Sequence, residues 1–320
     1  MARLRRANPG DDAGIRRRRA GKGFSYRHDN GRTVSAADRE RADSLGIPPA
    51  WKDVWIAKDP LAHIQATGVD DAGRTQYRYH PDWRERRDRL KHERALDLAE
   101  ALPAMRRRVT RDLALEGLPR ERVLAAALRM LDVVAIRAGG DRYAEEHGSR
   151  GLMTLLVRHA KVDGDAVRLR FPAKSGQRAD VTIEDAELAA CVRALQEGRS
   201  TRSRLLAWRD DAGAHALRGS DLNAAVREAT GGEFTAKDFR TLHGTIVAAV
   251  ALARAREVGT EAERKRAVKA AVDEVAEALG NTPAVARSSY IDPEVFERFD
   301  DGETIGLRGS RERALLTLLR

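Results

Sequence analysis

Two patterns of apolar positions divide the 320-residue chain. Up to about residue 80 the apolar residues come in short runs: Phe24 and Tyr26; Trp51, Val54, Trp55 and Ile56; and Ala62-His63-Ile64-Gln65-Ala66-Thr67. Turn formers separate them at Asp29-Asn30-Gly31, Pro48-Pro49 and Asp70-Asp71-Ala72-Gly73. Runs of this length between Gly, Pro, Asn and Asp predict short β-strands. The run Thr75-Gln76-Tyr77-Arg78-Tyr79-His80 alternates, which on a strand puts Gln76, Arg78 and His80 on one face and Thr75, Tyr77 and Tyr79 on the other. The first face reads as polar and the second as a packing face.

From Trp83 onward charge becomes continuous and helical spacing takes over. Residues 81–100 read either as a linker or as the first helix of a second domain, and we place the boundary at 85, giving domains 1–85 and 86–320. A helix near 120–138 carries Val123, Ala127, Leu131 and Val134 on one face and stops at Gly139-Gly140, which puts Arg137 in its last turn. There an arginine complements the helix dipole. Asp141-Arg142-Tyr143 starts another helix. Met153-Thr154-Leu155-Leu156-Val157, residues 166–171 and residues 180–183 predict a small antiparallel sheet whose second hairpin carries Lys174 at its tip.

Thr235 reads as the cap of a helix near 235–257, with Phe239, Leu242, Ile246 and Val250 as its buried stripe. Lys237, Arg240 and Gly244 share an adjacent face, and two cations above a glycine offer a surface for close approach by a phosphate backbone. A further stripe, Val268, Val272, Val275 and Leu279, ends at Gly280. Thr282-Pro283 then starts a short helix that carries Tyr290. Asn281 lies beside that helix start, where free N–H groups favour an anion. The fold class is therefore α+β: a small β-rich N-terminal domain and a mainly α-helical domain containing a small antiparallel sheet.

Charge narrows the function. The chain has 59 Lys+Arg against 49 Asp+Glu, a net +10, which fits an anionic partner. Residues 1–22, with Arg16-Arg17-Arg18-Arg19, read as a flexible solvated arm drawn to phosphates. Gln76 and Arg78 are side chains suited to base edges. A single cysteine, Cys191, excludes an internal disulfide framework. No apolar run approaches a membrane span and no signal-peptide core follows Arg3, Arg5 and Arg6, so a soluble, cytoplasmic protein is expected. No cluster of acidic, His or Cys residues has metal-ligand spacing, and neither a metal nor another cofactor is expected.

Taken singly, each of these residues has an ordinary explanation as a helix end, a solvated loop or a packed tyrosine. Their order is more specific. Arg137 follows a helix, Lys174 tips a hairpin, Lys237-Asp238-Phe239-Arg240 opens a helix, and Leu279-Gly280-Asn281-Thr282-Pro283 precedes Tyr290 by nine residues. This arrangement resembles the type IB DNA topoisomerases, in the compact poxvirus-like form found in bacteria. The resemblance extends to Ile47-Pro48-Pro49-Ala50-Trp51, Gly73-Arg74-Thr75-Gln76-Tyr77, Ile136-Arg137 to Tyr143, and Gly151-Leu152-Met153-Thr154-Leu155.

The resemblance implies catalytic roles for Arg137, Lys174, Arg240 and Asn281, with Tyr290 as nucleophile. It implies DNA contacts for Gln76, Tyr77, Arg78, Arg142, Tyr143 and Lys237. Asn281 stands where the viral members have histidine, and an amide can donate a hydrogen bond but cannot become cationic. A monomer clamping double-stranded DNA between its two domains is expected. A tyrosine recombinase shares the Arg, Lys, Arg and Tyr logic, although that family usually has histidine where Lys237 stands. An architectural DNA-binding protein would rely on charge alone.

Overall fold

The computed structural model describes residues 3–255 and 259–320 and, within them, every side chain except those of Arg142, Tyr143, His147 and Ser175. The chain divides into two compact units, Met1–Leu90 and Lys91–Arg320.

The first unit is built on one five-stranded antiparallel sheet. Its strands are β1 (Gly14–Ala20), β2 (Gly23–His28), β3 (Lys52–Ala57), β4 (Ile64–Val69) and β5 (Thr75–Tyr79), in the order β2-β1-β3-β4-β5. Helix α1 (Ala36–Ser44) starts at Ser35, whose hydroxyl accepts the Asp38 N–H at 3.1 Å. One cluster packs Ile15, Val54, Ile56 and Ala66 with Ala42 of α1, and another joins Trp55, Ala57, Ala62 and Ile64. Val54 and Trp55, adjacent on β3, thus belong to different clusters, as a period of two requires.

The arm expected over residues 1–22 is overturned from Gly14 on, because the arginine run is strand β1. Ile15 and Arg17 are buried while Arg16 and Arg18 are exposed. Arg17 donates to the carbonyls of Ile47, Pro48 and Trp51 at 3.0, 2.9 and 2.8 Å, and its guanidinium lies 4.1 Å from the Phe24 ring centre. The Pro48-Pro49 turn leaves carbonyls that no ladder satisfies, and this arginine supplies their donors. Gly14 allows β1 to pair with β3, since a Cβ there would lie 2.1 Å from Trp55 Nε1.

The division between units falls inside α2 (Pro81–Leu113). The second unit continues with α3 (Arg120–Val134), α4 (Asp141–His147), and the sheet of β6 (Ala160–Asp163), β7 (Ala166–Pro172) and β8 (Arg178–Glu184), in the order β6-β7-β8. Then come α5 (Ala186–Gln196), the hairpin of β9 (Ala207–Asp210) and β10 (Gly213–Ala216), α6 (Gly219–Thr230), α7 (Ala236–Arg254) and α8 (Glu261–Leu279). Helices α9 (Pro283–Tyr290), α10 (Glu294–Asp300) and α11 (Arg311–Leu319) end the chain. The core joins Leu102 and Met105 of α2, Met130 and Leu131 of α3, Phe239 and Leu242 of α7, and Val275 of α8. No helix among the described residues is long and apolar enough to cross a membrane.

Two sheet expectations need correction. Met153–Val157 is not a strand: residues 152–154 and 157–159 form single 3₁₀ turns, and the edge strand is β6. A short, fully buried apolar run does not distinguish a strand from an irregular core segment by periodicity. The hairpin of β9 and β10 lies where only helices were expected. Its turn is closed by Asp210, whose carboxylate accepts from the Ala212 and Gly213 N–H groups.

Candidate active site

Helix α3 ends three residues short of Arg137. Val134 is its last residue, and Ala135 turns left-handed at φ 45°, its N–H donating to Leu131 at 3.0 Å. Arg137 therefore lies beyond the helix, and the helix-dipole account of it fails. Its backbone is fixed instead by the following segment, where the Leu152 N–H donates to the Arg137 carbonyl and the Met153 N–H to that of Ala138, both at 2.8 Å. The two segments touch through Gly139 and Gly151. A Cβ on Gly151 would lie 2.5 Å from the Arg137 oxygen and 2.6 Å from Gly139 Cα. Gly139 and Gly151 are thus close-approach positions that hold the Arg137 backbone in place.

Arg240 sits one turn into α7. The helix starts at Thr235, whose N–H and hydroxyl both donate to the Asp238 carboxylate, at 2.8 and 2.9 Å. Arg240 is only 5% exposed. Its two terminal nitrogens donate to the carbonyls of Ala135 at 2.8 Å and Leu279 at 2.9 Å, so it ties the end of α3 to the end of α8. Its Nε is buried without a hydrogen-bond partner. The guanidinium carbon lies 4.8 Å from the centre of the Tyr290 ring. Lys237 is exposed on the turn before.

Gly244 is not an open approach for a phosphate backbone, because Tyr290 occupies that space. A Cβ on Gly244 would lie 2.5 Å from the Tyr290 carbonyl oxygen.

Helix α8 ends as its sequence requires. Gly280 turns left-handed at φ 57°, and the Asn281 N–H reaches back to the Ala276 carbonyl at 2.8 Å. Arg137 Nη2 donates to the Gly280 carbonyl at 3.0 Å and to the Asn281 side-chain oxygen. Asn281 and Tyr290 stand at opposite ends of a short helical segment, about 13 Å of rise over nine residues. One group spans the gap: the Arg240 guanidinium binds Leu279 on one side and faces the Tyr290 ring on the other.

The electrostatics make Tyr290 easier to ionise than an ordinary phenol. Burial raises the Tyr290 pKa, but Arg240, then Arg137 and Lys237, lower it by more, and the net value lies below that of an ordinary phenol. Arg137 is itself lowered, by burial first and by Arg240 second, yet a guanidinium remains cationic near neutrality.

A cleft of about 510 Å³ opens between these elements, lined by Arg137, Lys174, Gln177, Arg240 and Asn281 among others. Lys174 lies in the loop between β7 and β8, closed by the Ala173 N–H donating to Gln177 at 2.7 Å. It is exposed and makes no ion pair or hydrogen bond with the described residues. Gln177 was not anticipated; its side-chain oxygen would lie 3.1 Å from a Cβ on Gly280. The available signal was its position three residues after Lys174 in the same loop. Thr245 was also missed. Its hydroxyl accepts the Asp292 N–H at 3.1 Å, and one threonine inside a helix carries no sequence signal.

The first unit holds a second group of candidates on β5. Gln76 donates to Asp70 at 2.9 Å, and Arg78 donates to the Gly46 carbonyl at 2.6 Å with its guanidinium 6.0 Å from the Trp51 ring centre. On the tyrosine face Tyr77 is 46% exposed and stacks on Tyr79 at 5.8 Å. The expected division of the two faces therefore holds only in part: Tyr79 packs against the cluster of Trp55, Ala57, Ala62 and Ile64, while Gln76 and Arg78 are held by Asp70, Gly46 and Trp51 on the polar side. The side chains of Arg142 and Tyr143, also anticipated as binding residues, lie outside the described residues. Among the described residues no three His, Cys, Asp or Glu side chains gather at metal-binding range.

Comparison with known proteins covers both units. Residues 80–304 match the family described as the catalytic core of eukaryotic DNA topoisomerase I, and residues 23–70 match the N-terminal domain of bacterial DNA topoisomerase IB. A protein named DNA topoisomerase 1B from Acanthamoeba polyphaga mimivirus is 31% identical over 314 residues, spanning 96% of this chain and 94% of its own.

Proposed function

The chain belongs to the type IB DNA topoisomerase family, an isomerase by that membership, and from this premise we propose that it relaxes supercoiled duplex DNA through a 3′-phosphotyrosine at Tyr290. The observation that carries the reading is the Arg240 guanidinium. It faces the Tyr290 ring and, with Arg137, grips the 279–281 segment beside a cleft that Lys174 overhangs.

The Tyr290 hydroxyl loses its proton to solvent and its oxygen attacks a backbone phosphorus. The bond from phosphorus to the 5′-oxygen breaks, and that oxygen takes a proton from Lys174. Negative charge on the non-bridging oxygens is met by Arg137 and Arg240, with the Asn281 amide as a neutral donor. The reverse sequence, with the 5′-hydroxyl as nucleophile, reseals the strand. One phosphodiester replaces another, so no bond energy is lost and ATP is not needed. Three cationic side chains supply the charge stabilisation that a metal ion supplies elsewhere. While one end is held covalently, the other swivels and supercoiling is released. We further propose that the protein acts as a monomer on cytoplasmic, nucleoid DNA, with Gln76, Tyr77, Arg78, Arg142, Tyr143 and Lys237 contacting the duplex.

The test is relaxation of supercoiled plasmid with EDTA present and ATP absent, alongside Tyr290→Phe and denaturant trapping of covalent DNA. The expected result is relaxation and an adduct from the parent and neither from the variant. Binding with neither relaxation nor adduct would overturn the reading in favour of a charge-only DNA-binding protein. Adducts formed only at paired specific sites would overturn it in favour of a recombinase.

A further inference from the structure

We propose that Gly244 and Thr245 form a seat on α7 that sets the register of Tyr290 against Arg240, making them positioning residues for the cleavage step. The proposal rests on Tyr290 being the nucleophile.

Gly244 lies four residues after Arg240, on the same face of α7 and one turn further along. The Tyr290 backbone rests on it, for a Cβ on Gly244 would lie 2.5 Å from the Tyr290 carbonyl oxygen and 3.0 Å from Tyr290 Cβ. Glycine weakens the middle of a helix, and α7 runs for 19 residues, so its presence there calls for a packing reason. The contact with Tyr290 supplies one. Thr245, next along and 2% exposed, fixes the residues that follow. Its hydroxyl donates to the Thr241 carbonyl at 2.9 Å and accepts from the Asp292 N–H at 3.1 Å, with the Tyr290 carbonyl 3.4 Å away.

Helix α9 ends at Tyr290, and Ile291 is extended, so the helix alone does not hold the nucleophile from its C-terminal side. The seat does. Arg240 faces the ring, Gly244 receives the backbone, and Thr245 anchors the residue two positions on. In-line attack tolerates little displacement, since a shift of about 1 Å costs on the order of 100-fold in rate.

Gly244→Ala and Thr245→Val separate this from ordinary packing. Single-turnover cleavage, equilibrium binding to linear duplex, thermal melting and the pH dependence of cleavage would be measured for each. Gly244→Ala is expected to slow cleavage about 30- to 100-fold with duplex affinity within about twofold of the parent. The alkaline inflection of its cleavage rate should move upward, because a displaced phenol loses part of its contact with Arg240. Thr245→Val is expected to slow cleavage about tenfold, and Thr245→Ser to recover most of that loss. Parent-like cleavage and an unmoved inflection in Gly244→Ala would overturn the proposal. So would cleavage, affinity and melting falling together in both Gly244→Ala and Thr245→Val. An adduct from Tyr290→Phe would instead remove the underlying reading of Tyr290, whichever way the seat variants behave.

Discussion

Arg17 in the N-terminal sheet and Arg240 in the helical unit are built alike. Each is nearly buried, each donates to main-chain carbonyls, of a turn for Arg17 and of two helix ends for Arg240, and each lies against an aromatic ring, Phe24 at 4.1 Å and Tyr290 at 4.8 Å. They differ in what remains unused. The terminal nitrogens of Arg17 serve three carbonyls, and its aromatic partner has no polar atom. Arg240 keeps a buried Nε that has no partner among the described residues, faces a ring with a hydroxyl, and has a second arginine, Arg137, whose pKa its charge helps to lower. A buried arginine that satisfies a turn is part of the scaffold. One that retains an unpartnered donor beside the proposed nucleophile fits the proposed role of meeting a phosphate.

Substituting each arginine is the strongest way to break this parallel. Arg240→Ala is expected to slow single-turnover cleavage about 10³- to 10⁵-fold, the range seen when an arginine that stabilises phosphoryl transfer is lost. Arg17→Met should leave the cleavage rate of bound DNA close to the parent and lower folding stability by about 2–4 kcal/mol, because buried carbonyls lose their donors. Calorimetric melting together with cleavage of pre-bound duplex distinguishes the two. If Arg17→Met slowed the chemistry as much as Arg240→Ala, the division between scaffold and site would fail.

Lys174 sharpens the comparison because it is the opposite kind of cation, exposed and without a partner among the described residues. Lys174→Ala is expected to reduce cleavage about 10²- to 10⁴-fold while binding changes little, as befits a proton donor. A substrate whose leaving 5′-oxygen is replaced by sulfur needs far less protonation, so it should restore most of the rate in the variant. Equal losses on both substrates would remove the proton-transfer role and leave Lys174 as a simple phosphate contact.

The same contrast explains what could be read in advance. The helical unit was legible because its stripes are regular: α7 starts at Thr235, α8 stops at Gly280 and α9 starts at Thr282, all as the capping residues require. The order of Arg137, Lys174, Arg240 and Tyr290 was legible as well. The structure brings Arg137, Lys174 and Arg240 to one cleft, while Tyr290 does not line it and is joined to it through Arg240, whose guanidinium faces the ring. The arginine run 16–19 misled because charge density outweighed alternation, although Ile15 and Arg17 point to one side of β1. Arg137 was assigned to a helix because Gly139-Gly140 resembles a stop signal. Gly139 is there for contact with Gly151, a partner 12 residues away. Gly244 was misread similarly, since the backbone it receives is 46 residues distant. Close approach between remote segments leaves no periodic trace.

The smallest effect compares Tyr290 with a group that titrates in a similar field but has no proposed part in the chemistry. His159 is buried, its Nδ1 accepts the Leu156 N–H at 3.1 Å, and burial followed by Arg158 and Arg150 lowers its pKa to about 4. Cations beside a histidine oppose its charged form, whereas cations beside a tyrosine support it, so similar surroundings act at opposite ends of the pH scale. For His159 the folded state refuses a proton that the unfolded chain accepts near pH 6.5. Its contribution to stability is therefore intact above pH 6.5 and is lost as pH falls toward 4. Between pH 7.5 and 5 the loss should reach about 2 kcal/mol, measured by denaturant unfolding, and His159→Gln, which keeps an acceptor but cannot titrate, should flatten it. Tyr290 should leave that acid limb untouched and govern an alkaline limb instead: cleavage should rise with an inflection below the usual phenol value, and Lys237→Ala should move the inflection slightly upward. An acid limb that survived His159→Gln unchanged would assign the effect to other groups and end the comparison at that residue.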